Sequence, residues 1–133
     1  MTHHGSCHCG LCAFAADIDL AAGTTRCNCT LCRKTRAWGT RADPATFRVT
    51  RGADHLRFYD RGGEGIVRHA FCGTCGTRLF AQGHIPELGG DFVTISIATL
   101  DDVSEDALIA APVTWCDGLH DAWWVPPAEI RHL

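Results

Sequence analysis

No run in this sequence approaches the roughly 20 consecutive apolar residues that a membrane-spanning helix requires. The first residues, Met1-Thr2-His3-His4, lead into a polar, cysteine-bearing segment where an export leader would carry an apolar stretch. These two absences predict a soluble, cytoplasmic protein with no membrane partner. Linkers, low-complexity stretches and long-period repeats are lacking as well. The 133 residues are therefore expected to form one domain, 1–133, able to bury about two-thirds of its unfolded surface. Basic residues interleaved with aromatics are missing, and together with a formal charge of -3 this argues against a nucleic-acid partner. Sustained helical periodicity is also scarce, which directs the reading toward strands.

What the chain has in excess is cysteine, nine in all. A reducing cytosol keeps thiols free, so metal ligation is a better use for them than structural disulfides. The spacing agrees: Cys7-x-Cys9-x2-Cys12, Cys27-x-Cys29-x2-Cys32 and Cys72-x2-Cys75 are short-range clusters, and Cys116 stands apart. Charge is unevenly spread. Residues 26 to 78 hold eleven of the twelve basic side chains, Lys34 and ten arginines, against only four acids. Part of that excess can stabilise metal-bound thiolates, which favour nearby cations.

Period-two patterns appear repeatedly. Residues 7 to 18 suggest a strand entered through a turn, with a loop from Asp19 to Thr25, and Thr30 to Arg36 can form one short helical turn before the chain extends again. Phe47 to Thr50 and His55 to Tyr59 alternate in strand fashion, and Arg61-Gly62-Gly63-Glu64-Gly65 is a strong hairpin turn because glycine accepts positive φ. Ile66 to Phe71 would return into the Cys72-Cys75 knuckle, and Thr77 to Ala81 would leave it as a strand. Asp91 to Ala98 is the clearest strand, with Phe92, Thr94, Ser96 and Ala98 on one face and Val93, Ile95 and Ile97 on the other, and is expected to be central. Residues 101 to 111 suggest a short helix stopped by Pro112. The tail, with Trp115, Trp123 and Trp124, is expected to wrap apolar surface around the sheet. The class that follows is a mostly antiparallel β domain.

Two half-sites of two cysteines make one closed tetrahedral zinc site that adds folding energy. Cys72 and Cys75 supply one half. Spacing leaves the other half open between Cys7 with Cys9 and Cys9 with Cys12. The second cluster, Cys27, Cys29 and Cys32, has three ligands and no fourth of its own. Each of the eight histidines taken singly reads as a surface or hydrogen-bonded residue. His3 and His4 read as frayed, and His69 could face solvent.

Gly5-Ser6-Cys7-His8-Cys9-Gly10, then Cys27-Asn28-Cys29-Thr30-Leu31-Cys32-Arg33-Lys34, then Phe71-Cys72-Gly73-Thr74-Cys75-Gly76 occur in order. In these motifs the chain resembles the glutathione-dependent formaldehyde-activating enzyme family, also called the centromere protein V family. The resemblance covers Gly5 to about Leu100. It implies an Mss4-like, mostly β fold of small antiparallel sheets stabilised by zinc, with two zincs per chain. It further implies a structural zinc on Cys7, Cys9, Cys72 and Cys75, and a second zinc on Cys27, Cys29 and Cys32. Cys12, where relatives usually carry an aliphatic residue, then reads as a small buried hydrophobe, and Cys116 likewise. Asn28 stands where a histidine is often found, and Pro112-Val113-Thr114-Trp115 departs from the family's Pro-x-x-His.

A zinc held by three thiolates is a weak Lewis acid, better suited to capturing a substrate thiol than to activating water. The activity implied by the resemblance is a carbon-sulfur lyase-type reaction like that of S-(hydroxymethyl)glutathione synthase, joining glutathione or another small thiol to formaldehyde or a related aldehyde. Arg33, Lys34 or Arg36 would meet a substrate carboxylate, since arginine offers two parallel hydrogen bonds. The alternative is a non-catalytic, zinc-stabilised binding module presenting an Arg-rich partner surface. Both readings predict two zincs per chain by metal analysis. The enzyme reading adds that a chelator removes one of them without unfolding the protein; a single zinc would contradict it.

Overall fold

The structure, a computed structural model, describes residues 1–133. Three strands, β1 (Thr2–Ser6), β2 (Ala13–Asp17) and β5 (Arg48–Arg51), form a small antiparallel sheet in the order β1-β2-β5. Seven more form the large sheet: β3 (Thr24–Cys27), β4 (Gly39–Ala42), β6 (Leu56–Asp60), β7 (Val67–Cys72), β8 (Arg78–Ile85), β9 (Gly90–Ser96) and β10 (Val113–Cys116). Their order is β10-β3-β4-β9-β8-β7-β6, antiparallel throughout except for the β10-β3 pair. Two single-turn-scale helices, α1 (Thr30–Thr35) and α2 (Glu105–Ala110), complete the architecture. The fold is mostly β, as the alternating patterns and glycine-rich turns predict.

The β9 strand occupies the middle of the large sheet, between β4 and β8. Its burial follows the period of two: Val93 and Ile95 are buried, while Phe92, Thr94 and Ser96 are only partly covered. The core joins both sheets. Phe14 of β2, Phe80 of β8 and Phe47, just before β5, form a three-ring cluster with Phe47 and Phe80 centroids 4.6 Å apart and Phe14 6.2 and 6.4 Å from the other two. Aromatic pairs at such separations add to the apolar area that they bury.

Gly52 fixes how the loop before β2 meets the end of β5. It has φ of 72°, and a Cβ there would come 2.0 Å from the Leu11 carbonyl oxygen. Only glycine satisfies both conditions. Its carbonyl also accepts the Cys12 thiol at 3.4 Å, so that loop is held against the small sheet.

Two expectations need correction. His3 and His4 are not frayed: both belong to β1, and each ring approaches Asp102 at 3.1 Å while the His4 backbone N–H donates to the same carboxylate at 2.9 Å. A strand of polar residues pinned by a carboxylate about a hundred positions away leaves no periodic signal. The tail wraps the sheet only in part. Through β10 it pairs alongside β3, but Trp124 remains 81% exposed. Replacing Phe14 with alanine is expected to destabilise the fold by about 3–5 kcal/mol. A urea denaturation midpoint unchanged in Phe14→Ala would contradict the packing described.

Candidate functional site: two thiol centres and a cationic cleft

The β1-β2 connection brings Cys7 and Cys9 to the end of β7 and the following turn, which carry Cys72 and Cys75. All four Sγ atoms lie within 4.8 Å of one another. Cys7 and Cys9 sulfurs are 3.6 Å apart, and Cys9 and Cys72 sulfurs 3.7 Å. A tetrahedral ion with bonds of about 2.3 Å to sulfur requires sulfurs roughly 3.8 Å apart, so the set fits such an ion. Backbone amides already turn toward the sulfurs: Cys12 N–H donates to Cys7 Sγ at 3.3 Å and Thr74 N–H to Cys72 Sγ at 3.4 Å. The Thr77 hydroxyl, with the backbone N–H groups of Cys9 and Thr77, pulls the Cys75 thiol down to about 5. Cys12, 1% exposed, belongs to the apolar core and lies outside this set. Of the two pairings that spacing allows, the geometry brings together Cys7 with Cys9.

The second cluster is built at a strand-to-helix junction. Cys27 ends β3, Cys29 is the N-cap of α1, and Cys32 lies in its first turn, with the three sulfurs within 4.8 Å. Here the thiol takes the capping role usually given to serine or aspartate: Cys29 Sγ accepts from Cys32 N–H at 3.4 Å, and Cys27 Sγ accepts from Cys29 N–H at 3.3 Å. Burial opposes ionisation of Cys29, yet the N–H groups of Cys32 and Leu31 and the neighbouring thiols hold its pKa below the ordinary value. Burial pushes Cys27 and Cys32 up. No fourth His, Cys, Asp or Glu donor joins the three.

Asn28 and the tail roof this cluster from the side of β10. The buried Asn28 donates from Nδ2 to Asp117 at 2.7 Å and accepts Leu119 N–H at 2.9 Å, while its own N–H donates to Cys116 C=O at 3.2 Å. These bonds press Gly118 so close to Cys27 that a Cβ would lie 2.6 Å from Cys27 Sγ and 2.5 Å from the Trp123 ring. The Gly118 backbone lies against the Cys27 sulfur, and its N–H favours the thiolate there. Trp123 is held by its Nε1–H bond of 2.8 Å to Asp121. His120 pairs with Asp117 and does not join the cluster.

The three sulfurs open into a cleft of about 640 Å³ across one face of the large sheet. That volume lies within the roughly 300–1,000 Å³ typical of small-molecule sites. Small residues of neighbouring strands form its floor, Thr25 opposite Gly39, Gly39 opposite Ser96 and Thr94 opposite Ala81, and Trp38, Phe92 and Trp123 contribute apolar walls. Its ionisable lining, thiols apart, is Arg36, Arg61, Arg78 and His69, with no carboxylate among them.

Of the cations singled out beside Cys32, Arg36 lines this cleft, its Nη1 donating to His132 C=O at 3.0 Å. Arg33 and Lys34 are exposed and lie outside the lining. Arg78, which the motif spacing did not mark, is a half-buried cation of the same lining. Burial lowers its pKa, and the charges of Cys32 and Cys29 oppose that effect. No local pattern could have found it, because 46 residues separate it from Cys32 and only the β7-β8 pairing returns it.

The sequence profile described as glutathione-dependent formaldehyde-activating enzyme matches residues 2–117. A Halomonas elongata protein, provisionally named a glutathione-dependent formaldehyde-activating enzyme, is 34% identical over 103 residues. That alignment covers 71% of this chain and 65% of the relative. A Rhodobacter sphaeroides protein of known crystal structure superposes with a TM-score of 0.69 at 30% identity, over 84% of this chain and 99% of that one. Replacing Asn28 with alanine is expected to weaken metal binding at the three-cysteine cluster by about 10–100-fold, because the loop that supports Cys27 is released. Competition against a chromogenic chelator measures this; equal weakening at the four-cysteine set, or none at either, would contradict the assignment.

Proposed function

The chain belongs to the glutathione-dependent formaldehyde-activating enzyme family, and on that premise we propose that it joins a small anionic thiol, glutathione or a close analogue, to formaldehyde or a related aldehyde. This is a carbon-sulfur lyase-type reaction resembling that of S-(hydroxymethyl)glutathione synthase. The observation that carries the reading is the cleft itself: a three-thiol cluster with no fourth protein donor, opening onto three arginines and no carboxylate.

Cys7, Cys9, Cys72 and Cys75 would hold a structural zinc, and Cys27, Cys29 and Cys32 a second. Three sulfurs are too few for the closed tetrahedral coordination of a structural site and match the open kind. When bound, the second zinc supplies an acidic centre that favours the deprotonated form of an incoming thiol. The protein's own groups do the remainder. Cys29, the N-cap of α1, accepts the Cys32 N–H at its sulfur, which favours the thiolate at the mouth of the helix, and the Gly118 N–H favours the Cys27 thiolate.

Glutathione carries two carboxylates and one ammonium, so a cleft with cations and no acid attracts it. Arg36 and Arg61 would hold those carboxylates by donating bidentate hydrogen bonds from their guanidinium forks, while Arg78, whose Nη1 and Nη2 are bonded to Thr35 and His69, contributes its charge. Arg33 and Lys34, exposed on α1, add longer-range attraction that salt would screen. In the reaction the sulfur lone pair forms the new C–S bond, the carbonyl π pair moves to oxygen, and the thiol proton is replaced by one on the new hydroxyl. The apolar walls at Trp38, Phe92 and Trp123 limit water around that step.

Titrating glutathione into zinc-loaded protein by calorimetry is expected to give heat of binding, with amide chemical-shift changes confined to residues 27 to 36 and the strands lining the cleft. Absence of both would remove glutathione as the thiol. The same titration with S-methylglutathione, which keeps the carboxylates but cannot ionise at sulfur, is expected to bind at least about tenfold more weakly, since a soft thiolate is the preferred fourth partner of such a centre.

A further inference from the structure

The cleft contains a group whose protonation state is set by geometry. His69 lies on β7, lines the cleft, and receives a hydrogen bond on Nδ1 from Arg78 Nη2 at 2.6 Å. Arginine has only donors, so Nδ1 must be the accepting nitrogen. In a neutral imidazole the single proton then resides on Nε2.

The arrangement is not a chance meeting of flexible chains. Strands β7 and β8 pair regularly from Val67 to Ala70, and the register then shifts, so that Arg78 stands opposite Phe71. In an unshifted ladder Leu79 would hold that place, and Arg78 would face the other side of the sheet. The bulge therefore transfers the arginine to the face carrying His69. Arg78 is also anchored on its far side, where Nη1 bonds the Thr35 hydroxyl, which in turn donates to Leu31 C=O at 2.7 Å. One guanidinium thus links the helix that bears Cys32 to the histidine across the cleft.

We infer that His69 is a catalytic hydrogen-bond donor, presenting Nε2–H to the carbonyl oxygen of the aldehyde while Arg78 holds Nδ1 as the acceptor. This rests on the reading of the cleft as the site where a thiol meets an aldehyde. As the sulfur lone pair closes the C–S bond, the carbonyl π pair moves onto oxygen. The Nε2–H stabilises that developing charge and stays on the ring. The proton that completes the hydroxyl replaces the one the thiol gave up, exchanged through solvent, so His69 ends the step unchanged. Preorganised donors of this kind contribute to rate because they meet charge only in the transition state.

The surroundings keep the ring neutral. Burial, and then the Arg78 charge, lower the His69 pKa, while Asp60 on β6 acts in the opposite direction. Tyr59, also on β6, faces the ring with centroids 6.5 Å apart. That direction agrees with the Arg78 hydrogen bond on Nδ1, which leaves the ring its single proton on Nε2.

Two measurements on zinc-loaded protein test the inference. Long-range 15N NMR of the His69 ring is expected to show the neutral Nε2–H tautomer from pH 7 to 8, and a mixture of tautomers in Arg78→Gln; an Nδ1–H tautomer or an imidazolium at pH 7 would overturn it. Rates of adduct formation above the uncatalysed reaction supply the second readout. His69→Leu, which keeps the volume and removes the donor, is expected to lower kcat about 100-fold with KM for the thiol within about threefold. His69→Gln, which restores an N–H near the position of Nε2, is expected to recover at least about tenfold of that loss. An unchanged kcat in His69→Leu, a change confined to KM, or equal losses in both variants would overturn the role. A wild-type protein without any catalysed rate would instead remove the proposed reaction, and the role of His69 toward an aldehyde with it, while the tautomer would still be read by NMR.

Discussion

Four cysteine sulfurs, two from the β1-β2 connection and two from the end of β7 and its turn, share a space in which every pair lies within 4.8 Å. Thiolates at that separation repel, and buried charge without a counter-ion is costly, so the convergence requires a cation once the thiols ionise. The small sheet meets the large one here as well as through the Phe14, Phe47 and Phe80 rings. Backbone N–H groups aimed at Cys7 and Cys72 are features of a loop already shaped for negative sulfur. With the sheets joined in this way, the opposite end of the large sheet can carry a second cluster without serving the fold.

That second cluster differs from the first in every respect that matters for chemistry. Its three sulfurs come from one short segment, a strand end and a helix cap, and no donor from elsewhere closes the set. The remainder of the chain supports it from outside. Asn28 draws the tail across Cys27, Gly118 permits the close approach, and the β8 bulge supplies Arg78. The resulting asymmetry, one face of the cluster roofed and the other open to an arginine-lined cleft, is what the proposed reactive role of this cluster rests on.

Motif spacing revealed the clusters and the short helical turn because they are local: Cys27, Cys29 and Cys32 lie within six residues, and Thr30 to Thr35 follow directly as helix, whereas the capping role of Cys29 emerges only from the structure. The β9 strand was equally legible, since Val93 and Ile95 repeat with the period that burial demands, although the strand stops at Ser96 and the buried Ile97 opens a 3-10 turn instead of extending it to Ala98. By contrast, β1 carries histidines held by Asp102, and Arg78 reaches the site only through a register shift; neither depends on nearby residues. Asn28 was visible as a departure from a usual histidine, but its purpose emerges only when Asp117 and Leu119 are seen to occupy both ends of its amide. Spacing left the partner of Cys9 undecided; in the fold the sulfurs of Cys7, Cys9, Cys72 and Cys75 converge, while Cys12 is buried against Gly52.

The proposed chemistry depends on a three-thiolate centre whose remaining position is free for substrate sulfur. X-ray absorption at the zinc edge, on protein carrying two zincs, reads this directly. The predicted average is seven sulfurs and one oxygen or nitrogen per pair of ions, rising to eight sulfurs when the thiol substrate is added. Eight sulfurs before substrate, or a fixed oxygen or nitrogen that added thiol never displaces, would contradict it.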